Sequence, residues 1–362
     1  MRVVLGIETS CDETAAAVVV DGRQVLSNVI ASQVAAHQAY GGVVPEIASR
    51  QHLEAIADVA ARAVAVLPNG FRDIEGVAVT YGPGLVGALL VGLSYAKALA
   101  LTLNAPFIGV HHIEGHVFST VFEYGDWEYP ALALIVSGGH TDLFHIPAPL
   151  TYERLGHTRD DAAGEAYDKT ARRLGLGYPG GPILDQLAQT GRPERAPLVY
   201  RPPFIPEAPY DFSFSGLKTA VLRYIRERQV TPLPEGLSRD EVLSQASEAI
   251  RNLAASFQQA VVDTLISVLE RAIEAYRPRL VVTGGGVVCN SALRRALQEL
   301  SQRQGVEIRV PHPKYTTDNA AMIAAVGYAR LMRGERHDWS LEPMPSMRLG
   351  CSPAGRLPAE RA

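Results

Sequence analysis

Residues 107–142 constrain the fold more than any other stretch of this 362-residue chain. An apolar run at 107–110 leads into His111-His112-Ile113-Glu114-Gly115-His116, and a second apolar run at 131–136 breaks at Ser137-Gly138-Gly139-His140-Thr141. Short apolar runs bounded by turn residues read as buried strands. If the segment from His112 to His116 is helical, its two imidazoles lie one turn apart on one face and can meet a single cation. A strand ending in Ser-Gly-Gly turns bare backbone N–H groups toward an anion. The stretch therefore predicts a metal and a phosphate side by side. Histidines four apart also occur on helices that bind nothing. The zinc-protease pattern His-Glu-x-x-His is not met either, because Ile113 follows the first histidine and Glu114 comes after it. A third ligand has to come from elsewhere.

The chain opens in the same layout. Residues 3–7 read as a buried strand, 9–14 as a polar turn with Cys11, Asp12 and Glu13 at its tip, and 15–20 as a returning strand. Ile135-Val136-Ser137-Gly138-Gly139-His140-Thr141-Asp142 stands against Gly6-Ile7-Glu8-Thr9-Ser10-Cys11-Asp12-Glu13, a likeness of layout that suggests duplication. Strand-turn-strand units with an acidic tip occur at the phosphate end of the actin, Hsp70 and sugar-kinase architecture; an ordinary hairpin is the alternative. Two such halves face to face would enclose a cleft with an acidic hairpin and a glycine hairpin on its floor.

Between these landmarks a third strand is expected at 25–33, and an amphipathic helix at 45–67 with Ile47, Leu53, Ile56, Val59, Ala60 and Val64 on one face. A strand at 76–80 turns through Tyr81-Gly82-Pro83-Gly84 into a helix at 86–103, whose Ser94, Tyr95 and Lys97 favour a buried helix over a membrane span. After Pro149 the pattern becomes helical. A helix at 161–174 carries Asp168 and Lys169, Tyr178-Pro179-Gly180-Gly181-Pro182 leads into a helix containing Asp185, and 192–209 is a proline-dense loop. A basic helix at 217–228 holds Lys218, Arg223, Arg226 and Arg228, and a long helix is expected at 244–276. A strand at 279–283 then meets Gly284-Gly285-Gly286 and a helix at 291–304, a turn that serves either ligand approach or packing. Asn290 has an amide able to hold a ribose or base. A strand at 306–310 precedes Asp318-Asn319 and a helix at 320–332, where Asp318 is well suited to cap the helix and, as a carboxylate at a helix start facing a cleft, can also ligate a metal. Residues 336–362 lack periodicity and read as a weakly ordered tail.

Composition excludes several classes. With 47% hydrophobic and 20% charged residues and a net charge of −4, the chain has the profile of a soluble globular protein, and any nucleic-acid face must be local. Cys11, Cys289 and Cys351 are odd in number and never in CxxC spacing, which argues against a disulfide framework and fits a reducing, cytosolic setting. The first apolar run is too brief for a signal peptide.

Taken in order, Gly6-Ile7-Glu8-Thr9-Ser10-Cys11-Asp12-Glu13-Thr14, His112-Ile113-Glu114-Gly115-His116, Val136-Ser137-Gly138-Gly139-His140-Thr141, Gly284-Gly285-Gly286-Val287 and Thr317-Asp318-Asn319-Ala320-Ala321-Met322-Ile323 resemble the bacterial tRNA N6-adenosine threonylcarbamoyltransferase family. The resemblance implies a two-lobed, duplicated actin-like/Hsp70-like (ribonuclease H-like) α/β fold. Residues 1–130 would form the N-terminal lobe, 131–318 the C-terminal lobe with a helical insertion, and a helix at about 319–335 would pack back on the first lobe.

It further implies a divalent metal, usually iron with zinc or magnesium as alternatives, on His112, His116 and Asp318. The substrate would lie on Ile135, Val136, Ser137, Gly138, Gly139, Asp168, Gly181, Asp185 and Asn290. Archaeal and eukaryotic relatives carry a tyrosine ligand where this chain has Ile135, leaving a metal position open here. The family moves a threonylcarbamoyl group from threonylcarbamoyl-AMP to the adenosine that follows the anticodon in tRNAs reading ANN codons, with a smaller paralogous subunit and an ATPase subunit as partners. Asp12 and Glu13 are the candidate bases, and basic side chains including Arg172, Arg294 and Arg295 are candidate tRNA contacts. The family's older label, a metalloendopeptidase, and a non-catalytic scaffold are the competing readings.

Overall fold

The structure, a computed structural model, describes residues 2–38, 40–200 and 204–350. In the first lobe β1 (Val3–Glu8), β2 (Glu13–Val20) and β3 (Gln24–Ser32) form an antiparallel meander, followed by the short helix α1 (Val34–Gln38) and by α2 (Pro45–Val64). Next come β4 (Gly76–Gly82), α3 (Val86–Leu103) and β5 (Phe107–His111), with β4 and β5 adding parallel to β1. The sheet order is β3-β2-β1-β4-β5. Helices α4 (His112–Phe118) and α5 (Val121–Tyr124) lead out of this lobe.

The second lobe repeats the plan. Strands β6 (Ala131–Val136), β7 (Thr141–Ala148) and β8 (Thr151–His157) form its meander. The helices α6 (Ala163–Arg173), α7 (Gly180–Ala188), α8 (Ser215–Glu227), α9 (Arg239–Gln245) and α10 (Glu248–Tyr276) follow. Then β9 (Leu280–Gly284), α11 (Ser291–Gln304), β10 (Glu307–Arg309) and α12 (Ala320–Met332) close the lobe. Its order is β10-β9-β6-β7-β8, with β9 and β10 parallel to β6. Position by position this is the connectivity of the first sheet, so the duplication suggested by the two hairpins extends over five strands and the helices between them.

The central strands are apolar on both faces because helices cover both sides. The helix after each fifth strand leaves its own lobe. α12 lies across β1, β2, β4 and β5 of the first lobe, whereas α4 packs against β6 and β9 of the second, and the two helices meet at the seam. Small residues permit the approach: a Cβ on Gly6 would come 2.2 Å from Ala320 O, and one on Gly115 would come 2.8 Å from Ile323.

Several expectations need correction. Residues after Pro149 turn back as strand β8, whose exposed and charged positions hid the alternation; it is the counterpart of β3. The long helix begins at Glu248 and not at 244, because the Ser247 side chain accepts from Ile250 N and ends the continuity with α9. In α2 the buried face runs through Ala48, His52, Ile56 and Val59, and Leu53 is 68% exposed. Helix α3 is long and apolar enough to cross a membrane, yet it lies on the first lobe with Ala88, Leu89, Leu93, Ala96 and Ala100 buried and Val86, Leu90 and Leu101 exposed. The segment expected as a weakly ordered tail is fastened along its first half: His337 N donates to Phe107 O, Trp339 stacks on Phe107, and Met344 N donates to Tyr81 O. Residues 351–362, with Cys351, lie outside the described residues.

Candidate active site

The seam helices bring the two distant parts of the motif together. His112 opens α4 and His116 lies one turn on; Asp318 stands two residues before α12. Asp318 Oδ1 is 3.1 Å from His116 Nε2 and 3.5 Å from His112 Nε2, and the two rings are edge to face at 4.7 Å. Asp318 is free for this because the adjacent Asn319 takes the capping role, its side chain accepting from Met322 N. The other nitrogen of His112, Nδ1, is 3.0 Å from Glu8 Oε2 and 3.2 Å from Ser10 Oγ. Glu8 is itself fixed by the Thr80 hydroxyl at 2.6 Å.

Charge follows from this geometry. Burial works against a charged His112, but the Asp318 and Glu8 carboxylates outweigh it and push the imidazole up to about 9. Burial lowers His116, with Asp318 opposing. Asp318 is held well below the usual carboxylate range, because the neighbouring imidazoles overcome its burial. His140, half-buried near both His112 and His116, is pushed down to about 4, desolvation first and the two neighbouring imidazoles next. Glu8 and His140 were not among the residues singled out as ligands or catalysts. Glu8 was visible as a carboxylate closing an apolar strand, His140 as part of the Ser-Gly-Gly-His turn.

The donor set fits a divalent cation. Two imidazole nitrogens and a carboxylate oxygen lie within 4.8 Å of one another. Separations of 3.1 and 3.5 Å bracket the edge of about 3.4 Å expected between ligands of a tetrahedral ion at about 2.1 Å. A carboxylate on the far nitrogen of a ligand histidine is the usual way its free nitrogen is aimed at a metal, as Glu8 does for His112. Glu114, the one acid of the histidine motif, points the other way. It is fully buried and bonded to Tyr152 and Arg330, so it cannot serve as a proteolytic base beside the histidines.

The triad opens on a cleft of about 1340 Å³ between the lobes, lined on one side by Ser10, Cys11 and Asp12 and on the other by Ser137, Gly138, Gly139 and Asp168. The glycine turn closes on itself: Ser137 N donates to His140 O, which removes that N–H from the expected anion donors. Among the described residues, Gly138 and Gly139 have no hydrogen-bond partner, and a Cβ on either would meet nothing within 4 Å. Ile135 and Val136 are fully buried in β6, so only their backbone can reach the cleft.

Asp168 accepts from Gly180 N at 2.7 Å at the start of α7, next to Gly181, and faces the cleft. Asp185 and Asn290 are turned inward. Asp185 accepts from the Ser291 hydroxyl at 2.7 Å, while the Asn290 amide oxygen caps α11 by accepting from Ala292 N and Leu293 N and its nitrogen donates to Tyr167 and Gln258, so both ends of the amide are committed. Gly284 and Gly285 serve packing, since Cβ atoms there would come 2.4 Å from His116 O and from Val136 O. Of the two candidate bases, Asp12 lines the cleft. Glu13 bonds Ser32 at the β3 edge, and burial raises it to about 7.

Among solved structures, HypF from T. kodakarensis shares the fold, with a TM-score of 0.58 over 92% of this chain and 48% of its own at 14% identity. A duplicated ribonuclease H-like architecture with a His-His-carboxylate cluster at the interlobe seam defines a two-lobed protein of the actin-like fold. The family model for tRNA N6-adenosine threonylcarbamoyltransferase matches residues 24–325. The enzyme of that name from Symbiobacterium thermophilum is 50% identical over 347 residues, 96% of this chain and 97% of that one; its Clostridioides difficile counterpart is 46% identical over 347 residues, 96% and 98% of the two lengths. The chain belongs to this family, and it is a transferase that forms threonylcarbamoyladenosine in tRNA.

Proposed function

We propose that the interlobe cleft transfers the threonylcarbamoyl group from threonylcarbamoyl-AMP to the N6 amine of the adenosine following the anticodon, with a divalent cation, iron(II) foremost, held by His112, His116 and Asp318. The observation that carries this is the meeting of those three side chains beside the open Gly138-Gly139 turn in one cleft. At about 1340 Å³ the cleft exceeds the roughly 300–1,000 Å³ of an ordinary small-ligand site, which suits an adenylate together with an incoming nucleoside.

The mixed anhydride is already activated, so the protein's work is orientation and charge control. The Gly138 and Gly139 N–H groups, unpaired among the described residues, donate to the adenylate phosphate, and preorganised donors of this kind are worth about 3 kcal/mol each. The cation would supply Lewis-acid stabilisation of developing oxygen charge. Asp168, across the cleft, accepts from substrate hydroxyls. As N6 attacks the carbamoyl carbon, the C–O bond to AMP breaks and Asp12 takes the amine proton. Burial raises the Asp12 carboxyl, which makes it a better base than an exposed aspartate. Asp185 and Asn290 contribute by fixing the start of α11, and Gly181 by leaving space beside Asp168. Ile135 and Val136 support the turn from within β6.

A tRNA substrate supports a cytoplasmic location. Arg172 at the cleft and the exposed Arg226, Arg228 and Arg295 are the available phosphate contacts; Lys218 is paired with Asp161, Arg223 bonds Val199 O and Arg294 bonds Pro311 O. The exposed Leu53, Val86 and Leu90 on the neighbouring helices α2 and α3 support docking of the smaller paralogous subunit, with the ATPase subunit joining that assembly. The test is reconstitution with those subunits, threonylcarbamoyl-AMP and unmodified tRNA, read by nucleoside analysis. Modified adenosine should form with the intact chain and fall at least about 100-fold with His112→Ala or Asp318→Ala. Full transfer by either variant would refute the site.

A further inference from the structure

Three buried polar side chains flank the Cys11–Asp12 tip without touching the triad: Gln33, His37 and His52. Their hydrogen bonds have a determined direction. A carbonyl oxygen only accepts, so His52 Nε2, 3.0 Å from Cys11 O, carries the ring proton. Nδ1 of the neutral ring is then an acceptor, and both of its neighbours can donate, the Thr14 hydroxyl at 2.8 Å and the Gln33 amide nitrogen at 3.2 Å. The same reasoning applies from the other end. Val44 N–H only donates, so His37 Nδ1, 3.3 Å away, accepts, and His37 Nε2 donates to Gln33 Oε1 at 3.2 Å. The Gln33 amide nitrogen also reaches Ala48 O at 3.4 Å, so one orientation of the amide satisfies every contact. The bonds therefore run one way, from Val44 N–H through His37, Gln33 and His52 to the Cys11 carbonyl. The Gln33 backbone N–H adds a bond to Asp12 O at 3.0 Å.

We infer that Gln33, His37 and His52 are positioning residues for Asp12, holding both carbonyls of the acidic tip and tying it to the rim of the cleft through one unidirectional hydrogen-bond chain. The rim end is Val44, which follows the cleft-lining Tyr40, Gly41, Gly42 and Val43. Aligned bonds of this kind polarise one another, so the chain acts as a unit and not as separate contacts. Loss of one link frees the tip from the rim. Burial lowers the basicity of His52, which keeps the neutral ring that the chain requires. The inference rests on the reading of Asp12 as the proton acceptor.

Nitrogen-15 NMR of the histidine-labelled full chain and single-turnover transfer by the reconstituted complex test it together. His52 should be neutral with Nε2 protonated at pH 7, the neutral form of His37 should be the Nε2–H tautomer, and Gln33→Leu should shift the His52 Nδ1 resonance. His52→Phe should lower the transfer rate constant roughly 10- to 100-fold, the cost of a small misplacement, with KM within about 2-fold. His52→Gln, whose amide can still donate to Cys11 O, should recover most of the rate. Asp12→Ala with His52→Phe should be no slower than Asp12→Ala alone. The chain is overturned by a His52 protonated on Nδ1 or on both nitrogens, by losses that multiply in the double variant, or by both His52 variants losing rate in step with melting temperature. Full transfer by Asp12→Ala with the tautomers intact would overturn the Asp12 reading instead, and with it the catalytic purpose of the chain.

Discussion

Glu8 and Asp318 together decide what His112 can be. With no cation between them the ring takes a proton, since the two carboxylates raise it from about 6.5 to about 9 against the opposition of burial. A raised folded-state pKa contributes stability that is complete below about 6.5 and lost as pH climbs through about 9. The chelated protein should therefore melt progressively lower across that window, as read by calorimetry. Cation binding must displace the same proton, so affinity should rise with pH over that range and level off above about 9. Titration in buffers of different ionisation heat should show a proton released near pH 7; an affinity flat from about pH 6.5 to about 9 would exclude His112 as a ligand. The histidines and Asp318 were legible in the sequence through spacing and family likeness. The commitment of Asn290 was not, because an amide just before a helix looks the same whether it caps the helix or meets a ligand.

Helix α12 sets the position of Asp318, and its fit against β1 depends on Gly6. A methyl there would lie 2.2 Å from Ala320 O and 2.7 Å from Ala324 N, both backbone atoms that cannot swing aside. Gly6→Ala should cost about 1–3 kcal/mol in denaturant unfolding and also weaken cation binding, because Asp318 shifts with the helix. Unchanged cation affinity would separate the helix from the site. Most elements could be read from apolar runs and their turns, including α11 and α12 to the residue. Strand β8 could not, since Glu153 and Arg154 break its alternation, although the duplication required a partner for β3. The break before α10 rests on the Ser247 cap, a local bond hidden inside an otherwise continuous helical period.

At the scale of the molecule, the exchange of α4 and α12 between lobes places the site where neither half could build it alone. Opposite the triad the same helices are locked by a buried cluster: Arg330 of α12 makes two bonds to Glu114 of α4, at 2.8 and 3.0 Å, and Tyr152 of β8 adds a third. Glu114→Ala should cost about 1–3 kcal/mol in urea unfolding by removing the buried acceptor of Arg330 and Tyr152, less than a stranded charge would because the part-exposed Arg330 keeps Glu335, and adding Arg330→Met should recover part of that loss. A loss below about 1 kcal/mol would show that the lobes do not depend on this pair. The duplicated plan was foreseeable from the two matching hairpins, and the family resemblance implied that the helix at about 319–335 crosses to the first lobe; the return crossing of α4 was not legible, because it depends on which sheet that helix covers. The most direct test of the whole account is an anomalous-difference map from crystals of the iron-loaded protein. One peak about 2.0–2.2 Å from His112 Nε2, His116 Nε2 and an Asp318 oxygen is predicted, and a peak held by other residues, or none at full loading, would contradict it.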